Sequence, residues 1–215
     1  MDRGADAAAT VPLSVIILLL VVLVIDVFAP RRLTGQVAVE VAAGARYSTA
    51  LVRDSIVTRF DVGPALAPMV AVTLATSLER GWGAQATLDF STSGLRRHHA
   101  DGSSVAFGRV STAAFIVGLE RRLPAGFSAR IGFGGLKCIP GDKSGIFRLG
   151  GGSIAGLGAL ALGFTLPAGG PYSFAVEARY DVHGFTTPAL RDEGFTSPRT
   201  VHRVALTLRA RRGSR

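Results

Sequence analysis

Residues 82–90 read Trp-Gly-Ala-Gln-Ala-Thr-Leu-Asp-Phe, an unbroken alternation of apolar positions with small or polar ones. The pattern returns over residues 172–183, which read Tyr-Ser-Phe-Ala-Val-Glu-Ala-Arg-Tyr-Asp-Val-His. Successive side chains of a β-strand point to opposite faces, so each stretch predicts a strand with one apolar face and one polar, charged face. The apolar face and the polar face of the resulting sheet must therefore lie in different environments.

Six further strands are predicted, most of them from the same alternation and one of them from a glycine-rich stretch, which gives eight. They lie at about residues 36–47, 68–78, 82–93, 109–120, 127–134, 152–166, 172–183 and 201–211. An even number of strands lets an up-and-down sheet close into a barrel with both ends on one side.

The predicted connections are sorted by length. Those after the second, fourth and sixth strands are tight, whereas long loops follow the others, at residues 48–67, 94–108, 138–151 and 184–200. Short turns at one end and long loops at the other are typical of barrels that cross a membrane. The sequence therefore predicts an all-β, eight-stranded antiparallel up-and-down transmembrane β-barrel over residues 36–215, with its apolar faces towards lipid.

Aromatic residues support this orientation. Trp82 and Phe90 on one strand, and Tyr172 and Tyr180 on another, are each eight residues apart. At about 3.3 Å per residue and a tilt near 40°, each pair spans roughly 20 Å, close to an apolar band about 25 Å tall. The predicted aromatic girdle comprises Tyr47, Trp82, Phe90, Phe127, Tyr172 and Tyr180.

The segment before the predicted barrel, residues 1–35, contains an aliphatic run from Val11 to Ile25. About 15 residues suit the core of a signal peptide, although the preceding residues lack the usual positive charge. The segment is interpreted as a hydrophobic helix that serves either as a signal peptide or as an uncleaved N-terminal anchor.

Charge and cysteine content exclude several classes. The net charge is +9 with a pI near 11.1, but the basic residues are scattered rather than arranged in a stripe with aromatics, which argues against nucleic acid. The one cysteine, Cys138, excludes an intrachain disulfide and a CxxC metal site. The adjacent His98 and His99, with Asp101, are interpreted as solvated, and we expect no metal and no cofactor.

The closing residues 194–208, with the alternation Val201-His-Arg-Val-Ala-Leu-Thr-Leu208, resemble the last strand of bacterial outer-membrane barrels. With the strand and loop plan, the chain resembles small eight-stranded outer-membrane proteins of the outer-membrane protein A and W types. That resemblance implies a bacterial outer-membrane location, contact with outer-membrane lipid and lipopolysaccharide, and folding by the barrel-assembly machinery. The chain departs from the family because it lacks the terminal aromatic residue that this machinery usually reads.

The polar faces carry charges that an eight-stranded barrel has room to enclose only as packed side chains. Since an unpaired buried charge is costly, acid–arginine pairs are expected, with Glu120, Glu177 and Asp89 facing Arg130, Arg179 and Arg203. The predicted lumen charge network comprises Glu40, Asp89, Glu120, Arg130, Glu177, Arg179, Asp181 and Arg203. The expected role is structural or surface-interacting, with a plugged lumen and the long loops as the working surface.

Three other interpretations remain open from the sequence. A narrow, porin-like passive pore would use the same lumen charges. A soluble lipocalin-like barrel would place Val176 and Leu88 inside, around an apolar ligand, and Glu177 and Asp89 outside in water.

A lipid-modifying barrel enzyme is the third. Its candidate groups are His183 oriented by Asp181, His202, and serines such as Ser91, Ser173 and Ser197. The sequence has no G-x-S-x-G elbow to mark a nucleophile, and we expect no catalytic activity.

Overall fold

The computed structural model describes residues 37–54, 60–167 and 171–212. The predicted leader, residues 1–35, lies outside these ranges. The strands are β1 (Val37–Ser48), β2 (Val52–Asp54), β3 (Phe60–Pro64), β4 (Ala67–Ser77), β5 (Trp82–His99), β6 (Ser104–Arg122), β7 (Phe127–Pro140), β8 (Ala155–Leu166), β9 (Tyr172–Phe185) and β10 (Arg199–Arg212), and the short helix α1 spans Pro188–Asp192.

Eight of these strands form a closed antiparallel ring. Each strand from β4 to β10 pairs with the next along the chain, and β1 closes the ring by pairing with both β4 and β10. The predicted all-β ring of eight antiparallel strands is therefore confirmed.

The two faces of the sheet are inverted relative to a water-soluble protein. Leu88, Leu162 and Phe133 point outwards and are 62%, 66% and 71% exposed, whereas Asp89 and Glu177 point inwards and are buried. Every inward-facing charge thus lies beside an outward-facing apolar residue on the same strand. The lipocalin-like alternative is wrong, because it required Leu88 inside and Asp89 outside.

Among the described residues, no helix is long and apolar enough to cross a bilayer.

The two ends of the barrel differ, and we name them by their connections. At the turn end, residues 78–81 join β4 to β5 and residues 123–126 join β6 to β7 in single 3-10 turns. Arg80 and Ala125 adopt positive φ angles there, which lets each hairpin reverse tightly. The long connections all lie at the opposite end, the loop end.

The second long connection is shorter than predicted. Residues 94–108 were expected to form a loop, but β5 and β6 continue pairing past a bulge at Gly94 and reverse at residues 100–103. The first long connection folds as the hairpin β2–β3, and β3 pairs with residues 95–99 of β5. Because β3 pairs with the part of β5 that lies beyond the bulge, this part of the β5–β6 hairpin forms a strand where a loop was predicted.

An apolar cluster fills the barrel interior at the loop end. We call it the apolar plug: Leu51, Leu95, Val110, Ala114, Ile116, Leu136, Cys138, Phe147, Leu157, Phe185, Leu190 and Val201. The connections supply Leu51, Phe147 and Leu190, so they fold over the mouth. Thr187 fixes two of them together, since its hydroxyl donates to Ile146 O at 2.6 Å and accepts from Leu190 N at 3.2 Å.

The outward apolar face generates a prediction that separates lipid from water. Leu162→Arg places a charge on the middle of the outer surface, and in a bilayer it should cost about 2–4 kcal/mol of unfolding free energy. The measurement is denaturant-induced unfolding of the full chain from phospholipid vesicles.

Leu149→Arg is the matched control, because Leu149 is 54% exposed but lies in a loop-end connection. That change should alter the unfolding free energy by less than about 0.5 kcal/mol. Equal effects of the two substitutions would show that the outer face of β8 does not lie in lipid.

Candidate functional site: the barrel interior

The barrel interior holds two layers of charge. Among the described residues, five carboxylates and five guanidinium groups are buried there. The lower layer, towards the turn end, contains Glu40, Glu120, Glu177, Arg130 and Arg209. The upper layer, towards the loop end, contains Asp89, Asp181, Arg46, Arg179 and Arg203.

Arg130 organises the lower layer. Its Nη2 lies 2.7 Å from Oε2 of Glu40 and 2.7 Å from Oε2 of Glu120, and its Nη1 lies 3.5 Å from Glu177 Oε2. Arg209 bridges two of the same carboxylates, at 2.9 Å from Glu40 and 3.4 Å from Glu177. Three glutamates thus share two buried arginines, and the partly exposed Arg211 approaches Glu40 at 3.6 Å.

Asp89 organises the upper layer. Arg46 donates to both of its carboxylate oxygens, at 3.0 and 3.2 Å, and Arg179 Nη2 donates at 2.5 Å. Arg179 also donates hydrogen bonds to Asp181 from its Nε and Nη2 atoms, at 2.6 and 2.9 Å. Four side chains from β1, β5 and β9 therefore form one connected ion network across the barrel, which restrains all three strands.

Small and hydroxyl side chains fill the space between the layers. Thr73 and Thr87 share a hydrogen bond of 2.9 Å across β4 and β5. The cavity that remains there, lined by Met69, Thr207 and neighbouring residues, is about 30 Å³. That volume suits about one water molecule rather than a water-filled channel.

The two mouths of the barrel are not alike. At the turn end a vestibule of about 420 Å³ reaches the lower layer, and its lining includes Glu40, Glu120, Arg122 and Arg211. At the loop end the apolar plug covers the upper layer. The interior is thus accessible from the turn end as far as Glu40, Glu120 and Arg209, and it is covered at the other end.

The structure places all eight predicted lumen residues inside the barrel, but it does not pair them all as expected. Glu120, Glu177 and Asp89 do contact arginines. Arg203 lies opposite Asp181 in the register of β9 and β10, but among the described residues it forms no ion pair within 4.0 Å, and its Nη2 donates to Thr112 Oγ1 at 3.3 Å. Asp89 and Asp181 are both held by Arg46 and Arg179 instead.

Sequence reasoning left Arg46 and Arg209 out of the predicted network. Arg46 is 1% exposed and is the main partner of Asp89. Alternation places Arg209 on the inward face with Arg203 on β10, and it could have found Arg46, which has the same parity as Glu40 on β1. Alternation shows which side chains face the interior. It does not give the distances across the barrel that decide which acid pairs with which arginine.

The predicted girdle residues divide between the two ends. Trp82, Phe127 and Tyr172 begin their strands at the turn end and are exposed. Tyr47 and Tyr180 lie nearer the loop end, where Tyr180 Oη and His202 Nδ1 share a hydrogen bond of 2.6 Å on the outer surface. Phe90 lies within β5 and is partly buried.

Two of the groups considered for catalysis, Asp181 and His183, are hydrogen-bonded to other partners. The Asp181 carboxylate accepts from Arg179, and His183 Nδ1 lies 3.0 Å from Gly184 O rather than against an acid. His202 lies outside, beside Tyr180. Within the described ranges no three His, Cys, Asp or Glu side chains group as a metal site.

Asp101, in the reversal of the β5–β6 hairpin, has its own partner. Its carboxylate accepts hydrogen bonds from the Ser103 hydroxyl and backbone amide, at 2.6 and 2.8 Å, and these lower the pKa of Asp101.

A closed eight-stranded ring with an apolar outer surface and charged interior defines the class of small transmembrane β-barrels. No protein-family model and no curated protein matches the sequence. Solved structures do share the fold. The outer-membrane protein AlkL, determined in DMPC bilayers, is 14% identical over 85% of this chain and 93% of its own, with a TM-score of 0.52.

The attachment invasion locus protein Ail of Yersinia pestis, solved with the heparin analogue sucrose octasulfate, is also similar. It is 13% identical over 82% of this chain and 99% of its own, with a TM-score of 0.50. At these identities the likeness is one of fold, and the fold is that of small bacterial outer-membrane barrels, as the sequence pattern indicated.

The upper layer generates a prediction about stability. Asp89→Asn removes the carboxylate that holds Arg46 and Arg179, and should cost about 3–5 kcal/mol of unfolding free energy, since it leaves buried arginines uncompensated. Denaturant-induced unfolding from vesicles measures it.

Asp61→Asn is the control, because its ion pair with Arg53 is exposed and formed at 2.8 Å on the hairpin β2–β3. Its cost should stay within about 1 kcal/mol. A cost for Asp89→Asn as small as the control's would show that the upper layer is not the tightly packed network described.

Proposed function

We propose that this protein is a bacterial outer-membrane β-barrel with a closed lumen, a structural or surface-interacting role, and the loop end as its working surface. The observation that carries the proposal is the combination of an apolar outer face, a paired charged interior and an apolar plug over one mouth. A barrel built this way can sit in lipid, yet offers no open path through itself.

The outer surface supports a location in the outer membrane. Exposed leucine and phenylalanine side chains circle the ring, and aromatic residues lie towards both ends. This matches the apolar band and aromatic girdles of outer-membrane barrels. Outer-membrane lipid and lipopolysaccharide are then its surroundings, the turn end faces the periplasm, and the loop end faces the cell exterior.

The filled interior supports a closed lumen rather than a pore. A passing solute would have to displace the upper layer, in which Asp89 and Asp181 are each held by two arginines, and then the apolar plug. Eight-stranded barrels are only wide enough for side chains to fill. No catalytic step is assigned, because the acid and histidine on β9 have other partners.

The loop end offers the surface that meets the exterior. Its protruding β5–β6 hairpin exposes Arg96 and His98, and residues 94–108 contain the two arginines Arg96 and Arg97 against one acid, Asp101. Ail, of the same fold, was solved with a polyanionic heparin analogue. Polyanions such as sulfated saccharides or lipopolysaccharide are the ligand class we propose for this surface.

Location and closure are tested on one preparation of exported protein. We expect the full chain in the outer-membrane fraction, extractable by detergent, with a gel mobility that shifts on boiling as a closed barrel unfolds. In planar bilayers it should give no steady conductance above the bare membrane.

A soluble protein without a mobility shift would contradict the location. A steady conductance that changes in Arg130→Ala, with the boiling shift retained, would contradict closure and favour the narrow pore.

The ligand class is tested by retention of bilayer-embedded protein on immobilised heparin. Arg96→Glu should weaken retention, lowering the salt concentration needed for elution, because it reverses a charge on the exposed hairpin. Arg80→Glu is the control, since Arg80 is exposed at the turn end. If the two variants eluted at the same salt concentration, the β5–β6 hairpin would not be part of the polyanion-binding surface.

A further inference from the structure

Arg203 is the one arginine of the upper layer that lacks a carboxylate partner among the described residues. Its side chain is 2% exposed, its Nη2 donates to Thr112 Oγ1 at 3.3 Å, and its Nη1 has no hydrogen-bond acceptor in the described structure. The layer holds three guanidinium groups against two carboxylates. It therefore carries one excess positive charge, buried between the ion network and the apolar plug.

The nearby carboxylates are engaged elsewhere. Asp89 accepts from Arg46 and Arg179, and Asp181 accepts from Arg179 with Arg46 at 3.5 Å. His183, on the same level, directs its Nδ1 at Gly184 O and supplies no negative charge. A buried guanidinium nitrogen without a hydrogen-bond acceptor is costly, so Arg203 Nη1 gains from an anion that reaches it.

A small cavity lies beside Arg203. It measures about 20 Å³, and its lining includes Arg203, Arg46, Ser91, Ser93, Thr112 and His183. The guanidinium groups and hydroxyls are hydrogen-bond donors. Ser91 accepts a hydrogen bond from Arg46 at 3.3 Å, Thr112 accepts from Arg203 at 3.3 Å, and the two hydroxyls share one hydrogen bond of 2.9 Å, so one hydroxyl proton of this pair is left to donate to a bound anion.

We propose that this cavity binds a small monovalent anion of halide size, held by Arg203 Nη1 and the neighbouring hydroxyls. The cavity of about 20 Å³ is too small for carboxylates and phosphates. The bound anion neutralises the upper layer and thereby stabilises the closed barrel. The inference depends on the interior of the barrel and is independent of the ligand proposed for the loop end.

The test compares bromide with gluconate, an anion too large for the cavity. The full chain in detergent is incubated in their sodium salts at equal ionic strength, so that general charge screening is the same. The readout is the temperature at which half of the unboiled band converts to the unfolded mobility. Bromide should raise it by about 2–4 °C, in a saturable way, because a ligand that binds the folded state alone stabilises it.

Arg203→Met should abolish the difference between the two salts. Arg191→Gln, which removes an exposed charge on α1, should keep it. Equal melting of the unchanged protein in both salts would overturn the proposal, as would a difference that persists in Arg203→Met.

A second measurement needs no variant at Arg203, in case Arg203→Met fails to fold. Crystals of the unchanged protein grown in bromide should show an anomalous-scattering peak within hydrogen-bonding distance of Arg203 Nη1. Thr112→Val, which removes one neighbouring hydroxyl, should weaken both the peak and the salt difference. Density for a water molecule alone, without an anomalous peak, would overturn the proposal.

Discussion

Charge neutralisation inside a narrow barrel is the constraint on which the rest of this structure depends. In the part of the chain that the structure describes, five acids and five arginines are buried in a space with little room for water, so opposite charges must lie close together there. Arg130 on β7 reaches Glu40 on β1, and Arg179 on β9 reaches Asp89 on β5. These bridges cross the interior rather than following the sheet, and they fix the relative positions of strands that share no backbone hydrogen bonds.

The outer surface follows from the same arrangement. Once charges occupy the interior, period-two alternation forces the apolar residues outwards, where Leu88 and Leu162 are exposed. The lipid-facing surface and the sealed lumen are therefore two results of one pattern. The connections at the loop end can vary in sequence without disturbing either charge layer, so they are the part of the molecule that can adapt to a function.

Alternation allowed the ring and its faces to be predicted, because side-chain parity along a strand is a local property. Asp89 and Leu88 were assigned to opposite faces correctly, and the connections after β4 and β6 are tight, as predicted. Partners across the interior could not be predicted in this way. Arg46 was missed and Arg203 was assigned an acid it does not contact, since those distances depend on how far each strand is shifted against the next. The apolar plug was missed because Phe147 and Leu190 lie in connections that show no periodicity, and their burial depends on the mouth they cover.

The pairing of β1 with β10 has a consequence for the order of folding. Glu40 and Arg209, which meet beside this pairing, are separated by 169 residues, so the ring closes only when both of its extreme strands are present together. Until then β1 and β10 each present an open edge, which in lipid leaves backbone groups unsatisfied and in water invites association with other chains. The fit is also tight, because a Cβ added at Gly44 would come within 2.0 Å of Leu206 O on β10. Closure is then a late, cooperative event, because it joins strands that are far apart in the sequence. In a folding intermediate, the unpaired edges of β1 and β10 must be shielded from lipid and from other chains until they pair.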